Sequence, residues 1–411
     1  MRGVPLVQEI SELTTMKTTR AKRSFSFHPV YASAAVLCAG VSMHASAQSS
    51  VTLYGVVDNA IAYSSNQGGH SNTYMNSGAL AASKFGLLGS EDLGGGTTAV
   101  FRLENGFAAD TGAQSKANTI FNRQAYVGLA NKDYGQLTMG RQYTPYFQYV
   151  AALGPTNVLT GAVGAHPGDI DAMDTTLRVP NSVTYTSPTF GGLQAGLQYG
   201  MGEQAGSMSN GSAFSAAMRY DYQAFAWSAG YIRLKNVPTF QNNTGDFANN
   251  APINKGYATA DTAQIIGTAA RYTVGKLMMG LNYSNVQYRP GAGSPAGFAQ
   301  TASFNTFGAI ATYALTPALT LAAGYSYTAE NKRNGVDNAA RYHQISMEQL
   351  YSFSKRTALY FVEAYQKASG QTLSSAGGVV NAVASVGDSQ NGTPSNGRSQ
   401  FVGMVGIRHS F

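Results

Sequence analysis

The chain of 411 residues carries 27 Lys and Arg against 20 Asp and Glu, and only 11% of its residues are charged, against roughly a quarter in soluble domains. Mean hydropathy is slightly negative all the same, at −0.15, which excludes a bundle of membrane helices, whose apolar residues come in blocks. Few charges without high hydropathy describe a chain whose apolar and polar residues alternate one by one.

Residues 1–47 read as a signal peptide. Lys17, Arg20, Lys22 and Arg23 form a positive region, residues 32–43 a short apolar one, and Ala45-Ser46-Ala47 a small-residue cleavage motif, which predicts a mature chain of 48–411. Glu9 and Glu12 are foreign to such a leader and point to Met16 as the translation start. The single cysteine, Cys38, lies inside it, behind Leu37 where a lipid-attachment site needs a small residue. The mature chain is therefore expected to lack disulfides, thiol chemistry and Cys-based zinc sites. Without the leader's five basic and two acidic residues the net charge falls from +7 to +4, and no footprint for nucleic acid remains.

Beyond the leader no apolar run approaches the ~20 residues of a membrane helix. Residues 142–168 hold no Asp, Glu, Lys or Arg, but Pro145, Pro155 and Pro167 mark them as a loop. What recurs is a run of about 9–13 residues with the two-residue period of a strand. Residues 51–63 alternate loosely. In 99–107, Phe101, Leu103 and Phe107 oppose Arg102, Glu104 and Gly106; in 179–186, Val179, Val183 and Tyr185 oppose Ser182, Thr184 and Thr186, with Arg178 on the polar side. The clearest case is 319–330, where Leu319, Leu321, Ala323, Tyr325 and Tyr327 share one face. Two segments break the rule: Arg141 shares parity with Leu137 and Met139, and Glu363 with Leu359 and Phe361. A bulge, a rim position or a subunit contact each fits these.

The connections alternate in length. Short ones fall at 93–96, 131–133, 187–190, 223, 274–275, 315–317 and 354–355; long polar ones at 64–82, 108–118, 144–177, 202–211, 236–260, 289–301, 331–339 and 369–397. Tight turns at one rim and long loops at the other are the pattern of an outer-membrane barrel. In hydrocarbon a sheet survives only if it closes on itself. The predicted fold is all-β, a transmembrane antiparallel barrel of about sixteen strands, with a wet lumen and no conventional core. The Tyr and Phe excess predicts aromatic girdles at the membrane interfaces.

Other chemistry finds no support. His70, His166, His343 and His409 are scattered, and Asp169-Ile-Asp-Ala-Met-Asp174 lacks the Gly and final Glu of a calcium loop. The glycines at 89–96 open no helix. No local Ser/His/Asp arrangement predicts an enzyme, and neither a cofactor nor a metal is expected.

Several segments carry a family likeness: Ser50-Val-Thr-Leu-Tyr-Gly-Val-Val-Asp58, Ser83-Lys-Phe-Gly-Leu-Leu-Gly-Ser-Glu-Asp-Leu-Gly-Gly-Gly96, Asn122-Arg-Gln-Ala-Tyr-Val-Gly-Leu129, Gly140-Arg-Gln-Tyr143 and Arg178-Val-Pro-Asn-Ser-Val-Thr-Tyr-Thr-Ser-Pro188. In order, they resemble the general porins of Gram-negative bacteria, specifically the betaproteobacterial type. The last strand, alternating through Phe401, Val405 and Ile407 to Phe411, resembles the C-terminal strand read by the barrel-insertion machinery. The resemblance implies a sixteen-stranded homotrimer in outer-membrane lipid that passes small hydrophilic solutes and ions. It also implies a third extracellular loop, here 144–177, folded inward to narrow the pore. By the same resemblance Lys84, Arg123 and Arg178 match a basic ladder on the wall, with Glu104 a nearby carboxylate. Lys84 departs from the usual arginine and lacks its planar fork. The loop carboxylates available to face this ladder are Asp169, Asp171 and Asp174. Parity alone places Lys84, Glu104 and Arg178 toward the lumen and leaves Arg123 undecided. Cations facing carboxylates across a wet constriction predict a transverse field and a mild anion preference. The alternative within channels is a substrate-specific pore for sugars or organic acids, with Tyr143, Tyr146, Phe147 and Tyr149 as an aromatic track.

Overall fold

The computed structural model describes residues 50–243, 245–247, 251–388 and 394–411; the leader assigned to 1–47 lies outside them. Strands dominate: β1 Ser50–Gln67, β2 His70–Ser77, β3 Lys84–Gly94, β4 Thr97–Gly106, β5 Gln124–Asn131, β6 Gly135–Tyr143, β7 Arg178–Thr186, β8 Leu193–Gly200, β9 Ala213–Tyr222 and β10 Phe225–Lys235. There follow β11 Thr262–Val274, β12 Leu277–Arg289, β13 Ala302–Ala314, β14 Leu319–Glu330, β15 Arg341–Ser352, β16 Thr357–Ser369, the small hairpin β17 Gln371–Leu373 and β18 Val379–Asn381, and β19 Ser399–Ser410. Neighbours in sequence pair antiparallel, and β1 pairs with β19 from Val56–Ser410 to Ser64–Val402, so the sheet has no free edge. At the seam Gly55 and Phe411 exchange both backbone hydrogen bonds at 3.0 Å, and the Phe411 ring lies over Gly55, where no other side chain fits.

The main sheet has 17 strands, but β3 pairs with residues 50–56 of β1 and β2 with residues 59–67, so these two share one place and the wall is sixteen strands around. Residues 64–82, expected to be one long loop, instead hold the end of β1 and the whole of β2. The strand β1 runs on to Gln67, turns at Gly68 and Gly69, both at positive φ (61° and 107°), and returns as β2. Two glycines supply the turn that continues the strands' own twist.

The wall is inside-out. On β14 Tyr325 points outward while Ser326, Thr328 and Glu330 are buried; on β15 Ile345 and Met347 point outward while Gln344, Ser346 and Glu348 are buried. Outward apolar side chains such as Val51 and Leu281 remain 65% and 67% exposed on the isolated chain, as a surface solvated by lipid requires. Beside the short turns Tyr134, Phe190, Tyr222, Tyr272, Phe353 and Phe411 form one exposed aromatic belt.

The absence of a conventional core is overturned. Within the barrel the long connections bury a large apolar cluster against the wall: Tyr146, Ile170, Met173 and Leu177 from 144–177; Phe240, Phe247, Ile253 and Tyr257 from 236–261; and Ile265, Val286, Tyr288 and Phe304 on the strands. The Tyr257 ring stacks on Tyr288 at 5.6 Å and meets Phe298 edge-on at 5.1 Å, an arrangement favoured by the ring quadrupoles. A barrel this wide cannot fill its lumen from the wall alone. Where loops fold back onto it, the inward positions turn apolar and the area shielded from water supplies the driving force.

Candidate functional site

Charged side chains converge on the inner face of β3 to β7. The Glu104 carboxylate accepts from Arg123 Nε at 2.8 Å through one oxygen. Its other oxygen accepts from the Tyr54 hydroxyl at 2.8 Å and from Arg102 Nη2 at 3.4 Å. Arg102 Nε donates to the same hydroxyl at 2.7 Å. Lys84 lies within electrostatic reach of Glu104 and Arg123. The Tyr143 ring lies beside two guanidinium groups, its centroid 5.8 Å from Arg123 Cζ and 5.4 Å from Arg178 Cζ, close enough for cation–π attraction to both. The structure thus gathers Lys84, Glu104 and Arg123, with Arg178 in contact with Tyr143. Arg123 precedes β5, so strand parity with Phe121 and Val127 never applied to it.

Arg141 joins them by a bulge. The β6–β7 register shifts between Gly140 and Gln142, with Gly140 at φ 136°, a conformation that favours glycine. The extra residue turns Arg141 off the outward face of Leu137 and Met139 and into the lumen, where Nε donates to the Asn122 carbonyl at 2.7 Å. Its guanidinium pairs with Asp246, on the connection between β10 and β11; Asp246 also takes Lys116 Nζ at 2.5 Å and Arg178 Nη1 at 3.5 Å. Sequence reading missed Arg102, Lys116, Arg141 and Asp246. Arg102 was legible, since it shares parity with Glu104; Lys116 and Asp246 sit in loops without a period.

The segment 144–177 packs on lumenal glycines. Thr144 caps the helix Pro145–Tyr149, its hydroxyl accepting from the Phe147 amide at 3.1 Å, and Pro145 fills the first helical position without losing a bond. Tyr146 then lies against Gly230 and Gly267, Pro145 and Tyr149 against Gly196, and Leu159 of the helix Thr156–Gly164 against Gly324. Gln344 Nε2 on β15 donates to the carbonyls of Val163 and Ala165 at 2.8 and 3.0 Å. Of the candidate aromatic track, Tyr146 and Tyr149 are 0% and 1% exposed and pack the segment on the wall. Phe147 stacks on Tyr143 at 4.7 Å.

The three loop aspartates part company. Asp169 accepts from the Asp174 amide at 2.9 Å and from the Thr176 hydroxyl, holding its own turn. Asp171 accepts from Ser284 on β12 at 2.6 Å and meets His166 Nδ1 at 2.6 Å; burial alone would raise its pKa, but the His166 charge and these bonds hold it below the usual value. Asp174 is within electrostatic reach of Arg123, and its carboxyl and that of Asp388 both crowd Gly161. Burial, then the hydrogen bond and charge of Asp388, push the Asp174 carboxyl well above the carboxylate range. A value raised by folding makes the contact complete in acid, below the ordinary carboxylate pKa, and loosens it as pH climbs through the raised one. Single-channel recordings should accordingly show fewer brief closures at pH 4 than at pH 8, and Asp388→Asn should flatten that dependence.

A family model described as Gram-negative porin matches residues 32–371. The chain belongs to that family. An outer membrane porin of Delftia acidovorans is 30% identical over 382 residues, covering 89% of this chain and 95% of that protein. An outer membrane porin of Bordetella pertussis is 31% identical over 267 residues, which span 62% of this chain and 58% of the relative. Among solved structures an anion-selective porin from Comamonas acidovorans matches with TM-score 0.66 and 25% identity over 89% of this chain and all of that one. The trimer form of OmpT from Vibrio cholerae matches at 0.61 and 17% identity over 88% of this chain and 99% of that one, a likeness of fold. This porin is a passive channel in the Gram-negative outer membrane.

Proposed function

We propose that this porin passes small hydrophilic solutes with a preference for anions, past a constriction formed by Lys84, Glu104, Arg123 and Arg178 on the wall and Asp174 on the third long loop, Asp169 and Asp171 being buried in bonds that hold the loop. The observation that carries the preference is the imbalance on one side of the lumen. Among the described residues six cations, namely Lys84, Arg102, Lys116, Arg123, Arg141 and Arg178, face three carboxylates, Glu104, Asp246 and Asp174. The low-dielectric wall focuses their surplus field into the water, drawing anions in and repelling cations. That the structurally similar Comamonas porin is anion-selective agrees with this reading. Segment 144–177 narrows the pore, with Asp174 as the carboxylate opposing Arg123.

The working unit is a homotrimer whose outer apolar band contacts lipid, and β19 is the strand the insertion machinery reads. The leader 1–47 is removed after Ala47. In a planar bilayer under a KCl gradient, the reversal potential is expected to take the sign of chloride selectivity; a clear potassium preference overturns the reading. Migration as a trimer on unheated gels and an N-terminus at Gln48 check the rest.

A further inference from the structure

Asp246 stands where a permeating anion would stand. Its carboxylate is met by Lys116 from the connection after β4, Arg141 from the bulge of β6 and Arg178 from the start of β7, with its side chain 19% exposed. Three cations from three separate elements around one carboxylate form a cradle far in excess of what one surface ion pair needs. The carboxylate comes from elsewhere, on the connection between β10 and β11, and two contacts hold it there. Its amide donates to the Arg178 carbonyl at 3.4 Å, forming an isolated bridge with that strand. The next residue, Phe247, turns the other way into the apolar cluster, 6.4 Å from Tyr288. Alternation across a single extended turn thus anchors one side chain in the core and delivers its neighbour to the pore wall.

We propose that Asp246 is a selectivity-determining residue: a tethered carboxylate that occupies the Lys116–Arg141–Arg178 cradle in place of a solute anion and so limits the channel's anion preference. This rests on the reading of the cation cluster as the path of permeating ions. The tether sets an internal competitor at high effective concentration, which free anions must displace or pass. With the carboxylate neutralised, the cradle keeps its three cations and gains one unit of unbalanced positive charge. For an ion passing about 6 Å away through water, one unit charge changes occupancy about threefold before salt screening.

The test compares chloride-to-potassium permeability in bilayers for the wild-type porin, Asp246→Asn and Asp246→Glu, each assembled as the intact barrel. Asp246→Asn keeps the shape and is expected to raise the ratio by up to about tenfold in dilute KCl, roughly threefold up for chloride and threefold down for potassium, with the gain shrinking as salt rises. Asp246→Glu keeps the charge and is expected to leave it near wild type. An unchanged ratio in Asp246→Asn overturns the proposal, as does an equal shift in Asp246→Glu, which would trace the effect to disturbed packing. A potassium-selective wild type would instead sink the anion reading, while the direction of the Asp246→Asn shift would still decide for or against Asp246.

Discussion

Glu104→Ala is expected to cost the barrel about 3 kcal/mol, read as a fall in the denaturant midpoint in detergent. Glu104 is 1% exposed and is the carboxylate shared by Arg102 and Arg123, with Lys84 in reach. Removing it leaves like charges facing one another with little water between them, and losing one partner of a buried pair costs more than the pair itself contributes. The estimate sits at the low end of the range because lumenal water can move into the space. Glu104→Gln, whose single amide oxygen can still accept from Arg123, should cost about half as much, the remainder being charge. The double variant Glu104→Ala with Arg123→Ala should recover part of the loss, since it removes a cation along with its counter-charge. A loss under about 1 kcal/mol in Glu104→Ala would show that the cluster is solvated and that its ion pairs contribute little.

Gly267→Val is the second large effect. The Tyr146 hydroxyl and ring lie where a Cβ on Gly267 would go, and Cδ2 on the same ring edge is 2.9 Å from the corresponding point on Gly230. The ring is fully buried and has nowhere to retreat except away from the wall. Forcing bulk into such a contact costs about 1–3 kcal/mol, and here the strain falls on the segment proposed to narrow the pore. The expected outcome is a displaced helix Pro145–Tyr149, a larger single-channel conductance and a lower thermal midpoint. Tyr146→Ala approaches the same contact from the other side, losing about 3 kcal/mol of burial and packing, and should widen the channel likewise. Wild-type conductance in both variants would mean that the segment is held without this seat.

The parts legible in the sequence were those encoded locally. Alternation in 319–330 predicted which side chains of β14 face out, and the rhythm of turn lengths located the loops, because strand period and turn chemistry depend on neighbours in the chain. Arg141 shows where that logic stops. A strict two-residue count put it with Leu137 and Met139, and one extra residue after Gly140 reverses it. A charge on the apolar parity fitted a bulge, a rim position or a subunit contact alike, and only Gly140 beside it favoured the bulge. In residues 64–82 the pair Gly68-Gly69 was the available signal for β2, masked by the polar composition of the hairpin.

By itself, then, the sequence determined a closed wall with one greasy and one polar face, since lipid leaves a bare sheet edge no partner and alternation leaves each strand a single way to face. What fills the lumen was decided only by the tertiary structure. Arg141 and Asp246 meet across 105 residues of chain, and the core around Tyr257 and Tyr288 is assembled from loops and strands far apart in sequence. Such contacts have no period to read. They exist because closing the barrel brings distant loops over one opening, where burying their apolar side chains and pairing their charges is the favourable way to leave water.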